Sequence, residues 1–236
     1  MSWAPIIVPL ESNFYMSPTN RLVQIVDCLV ARYPNTDPFL THANPFELLI
    51  AVILSAQCTD ERVNQVTPAL FKAFPTPFVM GNTSPDVLEP YIQSITYYKT
   101  KAKHCIATAH TIAMEHGGRV PAKLDALVAL PGVGRKTANV VLGQAYGQPG
   151  ITVDTHVNRV SRRLGMTKGT TPERIEKDLQ RAWPRAWWTD LSTRLIQHGR
   201  TYCHARKPNC AECPLDLYCP STPAQLKGRR VKAPSK

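Results

Sequence analysis

Apolar residues recur along the chain mostly at helical spacing. From Ser17, the residues Leu22, Val23, Val26, Leu29 and Val30 mark one face of a helix behind Ser, Thr and Asn capping candidates. Residues 45–57 are apolar nearly all round, which predicts a central buried helix, although periodicity alone does not exclude a strand for so apolar a run. Further helices are expected at about 60–74, 84–95, 98–116, 123–130, 135–146, 155–164, 172–183 and 188–200, with Gly117-Gly118 stopping one of them. No convincing alternating strand and no Asn-Gly or Asp-Gly hairpin occurs, so the fold class expected is all-α. Residues 1–16 show no period and read as a flexible arm, and 220–236 read as a disordered basic tail.

Composition narrows the partners. The chain of 236 residues carries 28 Lys and Arg against 17 Asp and Glu, a net charge of +11, and the imbalance is uneven. Residues 1–118 are net −2 and residues 119–236 net +13, so an anionic partner, nucleic acid first, is expected to meet the second half. No apolar run reaches the roughly 18–20 residues of a membrane span, the longest candidate, Pro45–Ala56, being interrupted by Glu47. Residues 1–10 lack a basic segment and a small-residue cleavage site, so an intracellular protein is expected, cytoplasmic or associated with the nucleoid.

Three places carry chemistry. Cys203, Cys210, Cys213 and Cys219 fall within 17 residues as C-x6-C-x2-C-x5-C, whereas Cys28, Cys58 and Cys105 are scattered and suit small apolar packing. Four thiolates in one loop repel each other unless a cation neutralises them, which points to a metal centre. Zinc and an iron–sulfur cluster both accept four cysteines; the single C-x2-C and the wide gaps favour the bulkier cubane.

The second place is Leu130-Pro131-Gly132-Val133-Gly134-Arg135-Lys136-Thr137, between two helical segments. Its glycines allow a tight hairpin that turns backbone N–H groups and a helix N-terminus outward, an arrangement that binds phosphate without reading sequence. Lys136, in the first helical turn, sits at the wrong end of the helix dipole for a cation; partial burial there would favour the free amine, a nucleophile. An exposed or phosphate-contacting lysine is the plainer alternative. The third place is Val153-Asp154-Thr155-His156, where Asp154 suits an N-cap and also an ionised carboxylate that stabilises developing positive charge or helps take a proton.

In this order, these residues closely resemble the endonuclease III family of helix-hairpin-helix DNA glycosylases. The anchors are Leu54-Ser55-Ala56-Gln57-Cys58-Thr59-Asp60, the 130–141 hairpin segment, 153–156, His198-Gly199-Arg200 and the four cysteines, covering about 17–219. The resemblance implies two helical domains flanking a DNA cleft: a six-helix barrel with the helix-hairpin-helix, over about 37–148, and a terminal domain from 17–36 plus 149–219 that carries a [4Fe–4S] cluster on Cys203, Cys210, Cys213 and Cys219. It also implies a bifunctional glycosylase and abasic-site lyase, acting as a monomer on damaged double-stranded DNA. Lys136 would attack the sugar C1′ of a flipped-out oxidised or ring-saturated pyrimidine nucleotide, form a Schiff base and cut by β-elimination, with Asp154 supporting the positive charge. Gln57 matches the residue that fills the gap left by the nucleotide. Gly132, Val133, Gly134, Arg135 and His156 fall in the motifs expected at DNA, and Arg206 and Lys207 are placed to meet the phosphate backbone. One stretch departs from the pattern. The family commonly has Gly-Leu-Tyr or Gly-Phe-Tyr where this chain has Thr96-Tyr97-Tyr98, so Tyr97 takes the wedge position and Thr96 is expected to restrict the loop. A pyrimidine-dimer or mismatched-thymine glycosylase is the nearest alternative, and an inactive DNA-binding relative a further one.

Overall fold

The computed structural model describes residues 18–223 and is helical, with no strand among those residues. The helices are α1 (Pro18–Arg32), α2 (Pro45–Ser55), α3 (Asp60–Ala73), α4 (Pro77–Gly81), α5 (Pro85–Ile92), α6 (Tyr98–Glu115), α7 (Leu124–Val128), α8 (Arg135–Tyr146), α9 (Thr155–Arg163), α10 (Pro172–Ala182) and α11 (Trp188–Thr201). A single 3-10 turn, Arg185–Trp187, leads into α11. None of the helices among the described residues is long and apolar enough to cross a membrane. The expected segments appear, with α4 added between α3 and α5. The arm expected over 1–16 lies outside the described residues. So does most of the basic tail, but its first residues are placed: Ser221 Oγ donates to the Arg163 carbonyl at 2.8 Å and Thr222 is buried. Both residues line the cavity that the four cysteines surround.

Local chemistry sets the helix starts. Asn44 accepts from the Glu47 N–H at 3.0 Å while Glu47 reaches back to the Ala43 N–H at 2.7 Å, a reciprocal cap in front of the most apolar helix. Thr59, Thr76 and Thr171 cap α3, α4 and α10 through their hydroxyls, and Pro occupies the first turn of α2, α4, α5 and α10.

Buried apolar residues form two clusters. One gathers α2 to α8 around Leu48, Leu49, Ile50 and Leu54 of α2, which packs against α3, α6 and α8. The other gathers α1, α9, α10 and α11 with Leu215 of the cysteine loop. Each fully buried Leu or Ile contributes about 1.5–3 kcal/mol. Polar links join the two. Arg135 at the start of α8 pairs with Glu176 of α10 at 3.3 Å, and Arg200 of α11 pairs with Asp60 of α3 at 2.6 Å. Within the second cluster, the Thr152 N–H donates to Ser192 Oγ at 3.1 Å, tying the segment before α9 to α11.

Candidate active site between the two clusters

The hairpin is built on α6. Thr108 Oγ1 donates to the Pro131 carbonyl at 2.5 Å, and Gly132 has φ +73° with a Cβ there falling 2.8 Å from the His104 ring. Glycine at 132 is thus required twice, by the backbone and by the neighbour. Gly134 is the N-cap of α8, with open space where a Cβ would lie and no side chain capping the helix. The first-turn N–H groups of α8 are left for an external acceptor. Two residues expected at DNA make contacts within the protein. Val133 is buried and its N–H is spent on the Leu130 carbonyl at 3.1 Å, so it anchors the turn. Arg135, though half exposed, is engaged by the buried Glu176, which raises its pKa through the hydrogen bond and the charge.

Lys136 and Asp154 come together despite their separation in sequence. Both line a cavity of about 230 Å³ between the clusters, with Gln57, Ser55, Asp60, Asn139, Gln144, Thr152, Thr193 and Arg200. Lys136 is exposed on the cavity wall, so protein burial does not supply the desolvation that a partly buried lysine would have had. Asp154 is the N-cap of α9 and accepts from the Val157 N–H at 2.7 Å, which leaves its second carboxylate oxygen uncommitted. His156, the next expected DNA residue, is not among the lining residues. It packs against Gly199, where a Cβ would fall 2.8 Å from its Nδ1, and it accepts from Arg159 at 3.1 Å. Burial lowers its pKa, with Arg159 and Arg200 adding to the effect and Asp154 opposing it.

Backbone strain marks three other residues. Among the described residues, the non-glycine positions with positive φ are Gln57 (54°), Tyr97 (58°) and Lys207 (51°), all expected at DNA from the sequence. Left-handed backbone at such residues costs free energy and clusters at functional loops. Tyr97 is 65% exposed at the N-cap of α6. Thr96 does not share the positive φ, so the restriction expected from a β-branched residue in the family's glycine position does not arise; the strain falls on Tyr97 instead.

The four cysteines surround a second cavity of about 170 Å³, together with Arg163, Leu164, His198, Tyr202, Ser221 and Thr222. Among the described residues, no three His, Cys, Asp or Glu side chains converge as they would on a single ion. All four cysteines nonetheless line one cavity, the kind of donor set that a metal centre requires. Burial, with repulsion from Cys219, Cys203 and Cys210, pushes the Cys213 thiol up to about 11 in the absence of a cation. Residues to which the sequence assigned no role support this loop. Arg163 donates to Cys203 Sγ at 3.3 Å and to the carbonyls of His204 and Ala205 at 2.7 and 3.0 Å, just before the exposed Arg206 and Lys207. His198, 1% exposed and with its pKa pushed down to about 4 by burial, lies with Nε2 3.6 Å from Cys213 Sγ. His198 stands in the His198-Gly199-Arg200 motif without an assigned role there, and Arg163 reads as one of a basic run on a helix face.

Comparison with known proteins places the chain in a family. Residues 50–185 match the model of the HhH-GPD superfamily base excision DNA repair protein family. The chain is 46% identical over 209 residues to endonuclease III of Synechocystis sp., covering 88% of this chain and 95% of that one. It is 42% identical over 204 residues to endonuclease III of Escherichia coli strain K12, with 86% and 96% covered. A solved structure of a trapped endonuclease III–DNA covalent intermediate superposes with a TM-score of 0.83 at 41% identity, covering 91% of this chain and all of that one. A thermostable thymine-DNA glycosylase, at 22% identity and TM-score 0.77, shares the fold. With the hairpin, the lysine–carboxylate cavity and the cysteine-lined loop all in one helical frame, the chain belongs to the HhH-GPD superfamily of base excision DNA repair proteins, and within it to the endonuclease III family.

Proposed function

We propose that the protein is a bifunctional DNA glycosylase and abasic-site lyase that removes oxidised or ring-saturated pyrimidines from double-stranded DNA inside the cell, working as a monomer. The observation that carries this reading is the shared cavity, with one lysine and one N-cap carboxylate on its wall between two helical clusters. The two clusters correspond to two domains, about 37–148 and 17–36 plus 149–219, with DNA lying across the cleft between them. Phosphate docks on the N-terminus of α8 at Gly132 and Gly134, and Arg206 and Lys207 meet the backbone beyond. Gln57 and Tyr97 enter the stack as the damaged nucleotide turns out into the cavity.

There the Lys136 amine attacks C1′, the C1′–N bond to the base breaks, and Asp154 stabilises the positive charge growing on the sugar. The departing base takes a proton, and ring opening leaves a Schiff base between Lys136 and C1′. Loss of a C2′ proton then expels the 3′ phosphate and cuts the strand. Bound DNA closes the open side of the cavity, and so supplies around Lys136 the desolvation that the free protein lacks. Cys203, Cys210, Cys213 and Cys219 hold a [4Fe–4S] cluster. When bound, it supplies the positive charge that lets four thiolates share one loop, and so fixes the backbone that carries Arg206 and Lys207.

The test is a panel of duplexes with thymine glycol, a pyrimidine dimer, a mismatched thymine, an abasic site or no damage, incubated with and without borohydride. Strand cleavage and a trapped adduct are expected for thymine glycol and the abasic site, and neither for undamaged DNA. Adducts confined to the dimer or the mismatch would move the activity to the alternative lesion class; none at any site would leave a DNA-binding protein without lyase chemistry. The cluster is checked separately. Purified protein should absorb broadly in the blue and carry about four iron and four sulfide per chain, and Cys213→Ser should lose both. Stoichiometric zinc without iron would overturn the cluster assignment.

A further inference from the structure

Lys101 stands apart from its neighbours. It lies in α6 among Lys99, Lys103 and Thr100, yet it is only 6% exposed, and no carboxylate pairs with it among the described ion pairs. Its Nζ instead donates to the carbonyls of Leu54 at 2.8 Å and Ala56 at 2.5 Å, at the C-terminal end of α2. A cation there complements the helix dipole and satisfies carbonyls that have no helical partner. Burial lowers the pKa of Lys101, an effect that Cys58 and Cys105 oppose.

The Ala56 contact has a particular consequence. Ser55 to Cys58 form a turn closed by the Cys58 N–H donating to the Ser55 carbonyl at 3.1 Å, with Ala56 at φ −57°, ψ 116° and Gln57 at φ 54°. That is the type II geometry, whose third residue is ordinarily glycine or asparagine. The alternative type I turn would relieve Gln57 of its positive φ, and it needs the peptide between Ala56 and Gln57 to rotate so that the Ala56 carbonyl leaves Lys101. The ammonium therefore holds the turn in its strained form. At the same time the Lys101 backbone N–H donates to the Tyr97 carbonyl at 3.0 Å, closing the first turn of α6 behind the other left-handed residue.

We propose that Lys101 is a positioning residue that fixes the Gln57 turn and the Tyr97 loop relative to each other, so that both side chains are preset for entering the base stack. The inference rests on the DNA reading of Gln57 and Tyr97 given above. It assigns Lys101 a part in extruding a stacked nucleotide and none in the chemistry that follows. A base still paired in the duplex must be unstacked first, whereas an abasic nucleotide has no base to unstack.

The experiment compares glycosylase activity on a thymine-glycol duplex with lyase activity on a preformed abasic duplex, for wild type, Lys101→Met and Lys101→Arg. A fluorescent base analogue beside the lesion reports unstacking. In Lys101→Met, glycosylase kcat/KM should fall about 10- to 100-fold, the range for a misplaced positioning group. Abasic cleavage should stay close to wild type, and the fluorescence rise should shrink. Lys101→Arg, which keeps a cationic donor, should recover much of the glycosylase activity. If Lys101→Met does not fold, Lys101→Gln, with a shorter neutral donor, should show the same split to a lesser degree. Equal losses on both substrates, or no loss on either, would overturn the proposal. A wild type inactive on both duplexes would instead remove the glycosylase reading itself.

Discussion

Lys136→Ala protein mixed with a thymine-glycol or abasic duplex and borohydride should give no covalent adduct above background, where the wild type gives one. Borohydride reduces an iminium, so the trapped species requires a primary amine joined to C1′. Lys136 is the one lysine among the residues lining the cavity. It is the second residue of α8, two positions after the N-cap Gly134, so on the proposed reading DNA docked on the hairpin would lie close to its amine. Because the side chain is exposed and alanine is a strong helix former, the substitution should change stability by no more than about 0.5 kcal/mol. Loss of adduct can then be read as loss of chemistry. Turnover should fall roughly 10³- to 10⁶-fold, as when other enzymes lose their nucleophile, while affinity for the duplex changes little. An undiminished adduct would remove Lys136 as the nucleophile and direct attention to another amine.

How much of this was legible in the sequence depends on whether the physics was local. Helices with an apolar face or an apolar run, such as α2, were readable because burial imposes a period or a composition. The five-residue α4 was not: it is too short to show a period, although Thr76 and Pro77 carry its cap and first turn. The cysteine spacing pointed to a shared centre, because four thiolates need a common cation, and the four side chains do line one cavity. Arg163 and His198, which brace that loop, are set only by packing across α9 and α11. Lys101 is the sharpest case. Among alternating lysines it reads as solvated surface, and only the end of α2 arriving beside it makes it an internal cap. Arg135 carries a second partner that its position after the hairpin did not suggest, since Glu176, 41 residues later, engages it. Motif order thus located the cavity, and three-dimensional packing decided which side chains face it.

Asp154→Asn should separate the two duties of that carboxylate. As N-cap of α9 it accepts from the Val157 N–H at 2.7 Å, and asparagine caps a helix about as well as aspartate. The folded state should therefore lose only a few tenths of a kcal/mol, against about 1 kcal/mol for Asp154→Ala, which removes the cap altogether. What asparagine does not keep is the negative charge on the wall of the cavity that Lys136 also lines. That charge acts when C1′ becomes cationic, in a space from which bound DNA has displaced water, so its effect is greatest in the transition state. Glycosylase kcat should drop about 10²- to 10³-fold, the loss typical of removing one preorganised electrostatic group, with duplex affinity changed much less. Measuring binding by titration and single-turnover rates on the same duplex distinguishes the duties. Should binding and rate fall by the same factor, Asp154 is chiefly a structural cap, and the charge that supports the departing base must come from elsewhere on the cavity wall, where Asp60 already answers to Arg200.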